Sequence, residues 1–322
     1  MQMVNNNETR HKIILDTDPG IDDAMAIFFA FQAPQIDVLG LTTVFGNVPV
    51  AMSAQNAIRL CDIAQQHDVP VTQGVGMPWV GPESSYAHFV HGDNGFGDIP
   101  VNPPSRECDP RSSAQFIVDT VKAHPGEVTI VAVGPLGNLA LALRLCPELP
   151  QLVKQVAIMG GAAYVKGNVT PVAEANIWND AHAAQIVFAA GWPLVMFGLD
   201  VTYDIPFAPD FVDILAQQHP ILGGFVRDSS QFYMDFYSQG LDQRVCYFHD
   251  AFPLAYLIQP DLFELTEGHM RIGTSELDRG QTMFAALGDT MSPLWTQAST
   301  VKVATKVNHS ELTTLFIETY GK

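Results

Sequence analysis

Basic residues are scarce in this 322-residue chain, where 16 Lys and Arg stand against 34 Asp and Glu for a formal charge of −18. Such a balance repels a polyphosphate backbone, which argues against nucleic acid as a partner and favours a small neutral ligand, or one delivered to a bound cation. Cysteine is also sparse. Cys61, Cys108, Cys146 and Cys246 are scattered and form no CxxC or Cys/His metal spacing, so buried thiols in a reducing compartment are expected. No run approaches the ~20 apolar residues of a membrane span. The opening MQMVNNNETRHK carries no apolar signal core, so no membrane partner and a cytoplasmic location are expected. Neither a linker, an internal repeat nor a low-complexity tract divides the chain. One domain is therefore expected over residues 1–322, with residues 1–10 as a flexible start.

What is present is largely apolar: 47% hydrophobic against 16% charged, enough to bury a sizeable core. Residues 11–15 (HKIIL) form a short apolar run that ends in Asp16-Thr17-Asp18-Pro19-Gly20, and an amphipathic stretch over 22–31 follows. This reads as strand, turn and helix. The same order recurs, with apolar or β-branched runs at 36–44, 128–133, 156–159 and 194–199. Helical patterns fall at 50–65, 112–123, 136–145, 180–190, 225–238, 251–258 and 310–320. Apolar strands alternating with helices predict an α/β fold, a mostly parallel central sheet with helices on both faces. Ligands of such sheets sit beyond the carboxyl ends of the strands. Residues 74–111, dense in proline and glycine, read as a long loop near that edge.

Four carboxylates, Asp16, Asp18, Asp22 and Asp23, crowd the first strand end. Two like charges at ~4 Å cost about 1 kcal/mol even in water and more when partly buried, so a bound cation is the simplest resolution. Oxygen donors alone select a hard ion, Ca²⁺ or Mg²⁺. The alternative is a helix start, with Asp22 and Asp23 at the positive end of the dipole and Asp18 as cap. An acidic DxD at a strand end also suits an aspartate-nucleophile phosphatase, so the motif by itself specifies no reaction.

Further blocks narrow the choice. DTDPGIDDAMAI at 16–27, TTVFGN at 42–47, HGDNG at 91–95, GPLGN at 134–138, MGG at 159–161, GNVTPVAEAN at 167–176 and HDA at 249–251 occur in one order. Together they resemble the nucleoside hydrolase family, and they span most of the chain. The resemblance implies hydrolysis of the N-glycosidic bond of a small-molecule ribonucleoside. Ca²⁺ would be held by Asp18, Asp23, Asp250 and the Val133 carbonyl, with two ribose hydroxyls and a water completing the shell. A Val where many relatives carry Thr leaves a carbonyl ligand unaffected.

Because Ca²⁺ polarises water less than zinc does, a general base is needed, and Asp18 resembles it. Asp22 resembles the residue that bonds the ribose 2′-hydroxyl, with Asn47 as a polar contact on the same edge. Asn168, Glu174 and Asn176 resemble the groups that hold the 5′- and 3′-hydroxyls, and Met159 packs beside them. Such groups reject a sugar that lacks the hydroxyl. His249 and His91 resemble the two histidines flanking the base in members not specific for purines. An ordinary histidine pKa lies near neutrality, so His249 would act as general acid toward a purine.

Purine-specific relatives carry a tryptophan where His249 stands, so uridine or cytidine is favoured, with inosine a further candidate. Tyr237 is the expected base contact on the 225–238 helix, with Gln239, Asp242 and Arg244 as polar readers and Trp79 as a further stacking surface. Ala175 and Leu241 replace aromatics of some relatives, so base recognition cannot be copied across. A homodimer or homotetramer is implied. Two rival classes remain: a Mg²⁺-dependent phosphatase, which needs a downstream lysine and a second acidic pair, and a non-catalytic ribose- or calcium-binding protein.

Overall fold

Each apolar segment found above is short, and most are buried on both faces, which is the condition for a parallel sheet sandwiched between helices. The computed structural model describes residues 10–81, 86–239 and 242–322. The expected flexible start, apart from Arg10, lies outside the described residues, as does Leu241. Among the described residues nine strands form one sheet: β1 (His11–Thr17), β2 (Ile36–Thr43), β3 (Val71–Gln73), β4 (Val128–Ala132), β5 (Gln155–Met159), β6 (Leu194–Phe197), β7 (Phe263–Ile272), β8 (Thr282–Ala286) and β9 (Thr300–Val307). Their order is β3-β2-β1-β4-β5-β6-β9-β7-β8. All neighbours from β3 across to β9 are parallel, and β7 alone runs against its neighbours. The expected α/β architecture is the one observed.

The pleat sorts the strand residues between two cores. Ile13, Leu15, Val131, Ala157 and Phe197 join one apolar cluster, while Ile14, Ile130, Ala132, Ile158 and Met196 join the other. Helices Ile21–Gln32, Phe252–Ile258 and His309–Tyr320 close the first core, and Ser113–Ala123, Gly137–Leu145 and Ala181–Phe188 close the second. Helix Ile21–Gln32 is apolar nearly all round and buried from Ile21 to Ala30. It is wrapped by the C-terminal helix, whose Tyr320 hydroxyl donates to the Met25 carbonyl at 3.0 Å and whose Phe316 ring meets Phe29 edge-on at 5.3 Å.

From β1 the chain builds outward on one side through β2 and β3 and on the other through β4, β5 and β6. The strand order therefore reverses at β1, and a crevice opens beyond the carboxyl ends of β1 and β4.

Several elements were not expected from the sequence. β3 has three residues, and β7 carries Glu264, Glu267 and Arg271 near a sheet edge, so neither shows the apolar run of a doubly covered strand. The run over 194–199 is strand only to Phe197, and a helical turn, Leu199–Thr202, follows. The described part of 74–111 is mostly irregular, with one short helix, His88–His91. Three cysteines are buried as expected, and Cys108 is only half-buried. Among the described residues no helix is long and apolar enough to cross a membrane.

Phe316 is fully buried against the helix that carries Asp22 and Asp23. Phe316→Ala should cost about 3–5 kcal/mol of unfolding free energy in urea titration.

Candidate active site

β1 ends at Thr17, Pro19-Gly20 turns the chain, and the first helix opens at Ile21, so Asp18 leaves the strand while Asp22 and Asp23 occupy the first helical turn. All are buried, together with Asp16. Asp16 Oδ1 accepts from the Thr42 hydroxyl at 2.5 Å and from Asn138 Nδ2 at 2.8 Å, which ties β1 to β2 and to helix Gly137–Leu145. Asp23 accepts from the Thr17 hydroxyl, from the N–H groups of Asp18 (3.2 Å) and Gly20 (2.9 Å), and from Asn47 Nδ2 (3.0 Å). Asp23, not Asp18, thus satisfies the backbone at the helix start.

The Asp18 carboxylate is confined. Its Oδ2 accepts the Asn47 N–H at 2.7 Å, whereas its Oδ1 is buried with no partner among the described residues. A Cβ at Gly46 would stand 1.9 Å from Asp18 Oδ2, and one at Gly134 would stand 2.4 Å from Oδ1. Glycine at both positions lets the backbone close around the carboxylate.

Asp250 arrives from the other end of the sequence, on a helical turn, His249–Ala251, that packs against the first helix. It brings one carboxylate oxygen into a group with Asp22 and Asp23, all within 4.8 Å of one another. The expected ligand set named Asp18 beside Asp23 and Asp250. The tightest triad instead contains Asp22, with Asp18 close enough for its charge to act on Asp23 and Asp250. The Val133 carbonyl follows β4 at the rim of the same crevice and accepts from Asn176 Nδ2 at 2.9 Å.

Among the described residues no lysine or arginine pairs with any of these aspartates, and Asp22 Oδ1 is unpartnered, with His91 Nδ1 at 4.0 Å. Burial first, and neighbouring carboxylates second, push Asp22 up to about 8 and hold Asp18 and Asp250 well above the usual carboxylate range. Asp16 rises to about 7 through burial. Uncompensated buried charges of one sign, orphaned carboxylate oxygens and an all-oxygen donor set fit a hard divalent cation.

A cleft of about 710 Å³ opens over the carboxylates, with Asp22 and Asp250 in its lining. Asn47, Met159, Asn168, Glu174 and Asn176 line the same cleft. Glu174 also caps helix Ala175–Asn179, accepting from the N–H groups of Asn176 (2.8 Å), Gly161 (2.9 Å) and Ile177 (3.1 Å), and so braces this wall. Asn168 Oδ1 accepts from the Ala175 N–H at 3.0 Å.

The aromatic part of the lining comprises His91, Tyr203, Tyr233, Phe236, Tyr237 and His249. His91 Nδ1 accepts the Ile21 N–H at 3.2 Å, and its ring tilts against Tyr233 at 5.3 Å. His249 Nε2 lies 3.2 Å from the Tyr237 hydroxyl and Nδ1 lies 2.8 Å from the Thr202 hydroxyl. The imidazole poised near neutrality, expected for His249, is not observed: burial pushes both His249 and His91 down to about 3. Both are neutral at pH 7, so an imidazolium is not the resting proton source.

Arg244 clamps the outer side of helix Leu222–Tyr237 through Asp235 (2.5 Å) and Gln231 (2.7 Å), and neither it, Gln239 nor Asp242 lines the cleft. Trp79 is half exposed and its N–H donates to Asp180, outside the cleft. Sequence reading missed Tyr203 and Thr202. Both follow the carboxyl end of β6, and the strand-end rule already applied to β1 would have flagged that stretch.

A mostly parallel α/β sheet whose switch point opens on a buried carboxylate cluster and a cleft is the setting of a hard-cation enzyme site. The family model for inosine-uridine preferring nucleoside hydrolases matches residues 13–314, and the chain belongs to this family. Uridine nucleosidase 1 of Arabidopsis thaliana is 42% identical over 272 residues, covering 84% of this chain and 81% of that protein. A solved plant nucleoside hydrolase, PpNRh1, superposes with a TM-score of 0.93 at 34% identity, covering 97% of this chain and 99% of that one. A purine-preferring ribonucleoside hydrolase from Gardnerella vaginalis superposes with 0.89 at 30% identity, covering 96% and 98%. The chain is accordingly an enzyme that cleaves the N-glycosidic bond of nucleosides.

Gly46→Ala should displace Asp18 and lower kcat/KM about a hundredfold while circular dichroism reports an intact fold. A second expectation concerns metal-free protein. Carboxylates whose folded pKa is raised, Asp16 to about 7 and Asp22 to about 8, hold more protons folded than unfolded near neutrality. Their stabilisation is complete below the unfolded pKa and is lost as pH rises through the folded one. The Tm of chelated protein should therefore fall between about pH 5 and pH 8. Saturating divalent cation should remove most of that slope.

Proposed function

We propose that this hydrolase acts on pyrimidine ribonucleosides, uridine and cytidine first and inosine more slowly, releasing ribose and the free base with Ca²⁺ as its ion. The observation that carries the reading is the convergence of Asp22, Asp23 and Asp250 beside Asp18 at a cleft whose lining holds two neutral histidines. The name of the Arabidopsis relative supports the uracil preference, as does His249 where purine-specific relatives carry tryptophan.

In this reading Asp18, Asp23, Asp250 and the Val133 carbonyl hold Ca²⁺, which supplies Lewis acidity and a grip on the ribose diol. Asp18 takes a proton from the attacking water, for which its unpartnered Oδ1 is available. Asp22 accepts from the 2′-hydroxyl, and Asn168, Glu174 and Asn176 hold the 5′- and 3′-hydroxyls. Asn47 keeps Asp18 and Asp23 in register through its N–H and its side-chain amide. Met159 packs beneath the sugar. The sugar develops oxocarbenium-like positive charge beside the carboxylates as the C1′–N bond breaks and its electron pair leaves with the base. Charge on the departing base falls to the donors of the aromatic lining, Tyr237, His249 and His91. A dimer or tetramer belongs to the same reading and is checked by light scattering.

Steady-state assays with uridine, cytidine, inosine and guanosine test the preference directly. The pyrimidine nucleosides should give the highest kcat/KM, and guanosine or inosine in first place would overturn it. Asp18→Asn should lower kcat by about 10²–10⁴-fold with the fold unchanged. Activity lost in EGTA should return with Ca²⁺ and not with Mg²⁺.

A further inference from the structure

The histidine beside the base can be a hydrogen-bond donor or an acceptor there, and its ring tautomer decides which. Thr202 ends the helical turn Leu199–Thr202 beyond β6, and its side chain is fully buried. Among the described residues its hydroxyl has a single partner, His249 Nδ1 at 2.8 Å. A buried hydroxyl carries one hydrogen and two lone pairs, and leaving the hydrogen unmatched is the costlier outcome. The Thr202 hydroxyl therefore donates to Nδ1, Nδ1 carries no proton, and the ring hydrogen sits on Nε2.

From there the polarity propagates. Nε2–H donates to the Tyr237 hydroxyl oxygen at 3.2 Å, and the Tyr233 hydroxyl donates to the same oxygen at 3.5 Å. With both lone pairs of Tyr237 engaged, its own hydrogen goes to the Tyr203 hydroxyl, which also accepts from Asn168, so the Tyr203 hydrogen is the one left to turn toward the cleft that both tyrosines line. His91 follows the same rule by other means, since the Ile21 N–H donates to its Nδ1 and so places the hydrogen on the opposite nitrogen.

We propose that Thr202 is a positioning residue that locks His249 as the Nε2–H tautomer, so that the aromatic wall presents hydrogen-bond donors to the departing base. The proposal rests on the reading above that His249 serves the leaving group. It assigns to that wall stabilisation of charge by donation from neutral groups. Thr202 itself touches neither sugar nor base, and its effect is confined to substrates whose leaving group needs help.

Uridine and p-nitrophenyl riboside separate these roles, because nitrophenolate departs without a donor. Thr202→Val should lower kcat/KM for uridine about 10–100-fold, chiefly in kcat, and leave p-nitrophenyl riboside turnover within a few fold of wild type. Thr202→Ser, which keeps the hydroxyl, should restore uridine turnover. Histidine ¹⁵N spectra of the wild-type protein should show His249 protonated at Nε2 and bare at Nδ1, and an Nδ1–H tautomer would overturn the proposal without recourse to any variant. Equal losses on both substrates would reduce Thr202 to a packing role. His249→Ala, run in parallel, distinguishes the two levels: full uridine activity in that variant removes the leaving-group reading itself, whereas a loss there with none in Thr202→Val removes only the positioning role.

Discussion

Buried negative charge without a basic partner is the constraint on which this structure turns. Asp22, Asp23 and Asp250 each bring a carboxylate oxygen within 4.8 Å of the others, Asp18 adds its charge, and no lysine or arginine among the described residues answers them. Such an arrangement persists only if the carboxylates take up protons or share a cation. The surrounding sequence serves the second outcome. Asp23 spends its lone pairs on Thr17, Asn47 and two backbone N–H groups, which fixes its orientation, while Asp18 and Asp22 each keep an oxygen unpartnered. The helix that bears Asp22 and Asp23 is gripped by apolar contacts on nearly every side, so the repulsion cannot relax by moving it.

The same burial that raises the carboxylates lowers the histidines, so buried acids and neutral imidazoles share one cleft. Asp22 and Asp250 offer acceptors in the cleft. In the same cleft His91 and His249 are neutral, with His91 Nδ1 4.0 Å from Asp22 Oδ1 and its ring against Tyr233. Breaking an N-glycosidic bond moves negative charge from sugar to base, and a cleft that holds both carboxylate acceptors and neutral donors has groups suited to each partner. No permanently charged side chain is needed opposite the base.

Much of this was legible in the residues. The apolar runs at β1, β2, β4, β5 and β6 announced the parallel sheet, and the crowded aspartates after β1 announced an acidic ion site. The ordered motif blocks carried the reaction class. β7, with its charged residues, did not look like a strand because, one strand in from the sheet edge, it leaves part of itself in solvent. Thr202 and Tyr203 carried no motif. Their shared partner His249 lies 47 residues from Thr202 and 46 from Tyr203, so only folding brings them together.

Sequence alone determined the layered α/β fold and the chemistry available at its switch point, because side-chain periodicity and local carboxylate density are short-range properties. Tertiary structure decided which carboxylates meet most closely, that Asp250 joins them from the far end of the chain, and that His249 is neutral. Those outcomes depend on desolvation and on distances between segments far apart in sequence, which no local pattern encodes.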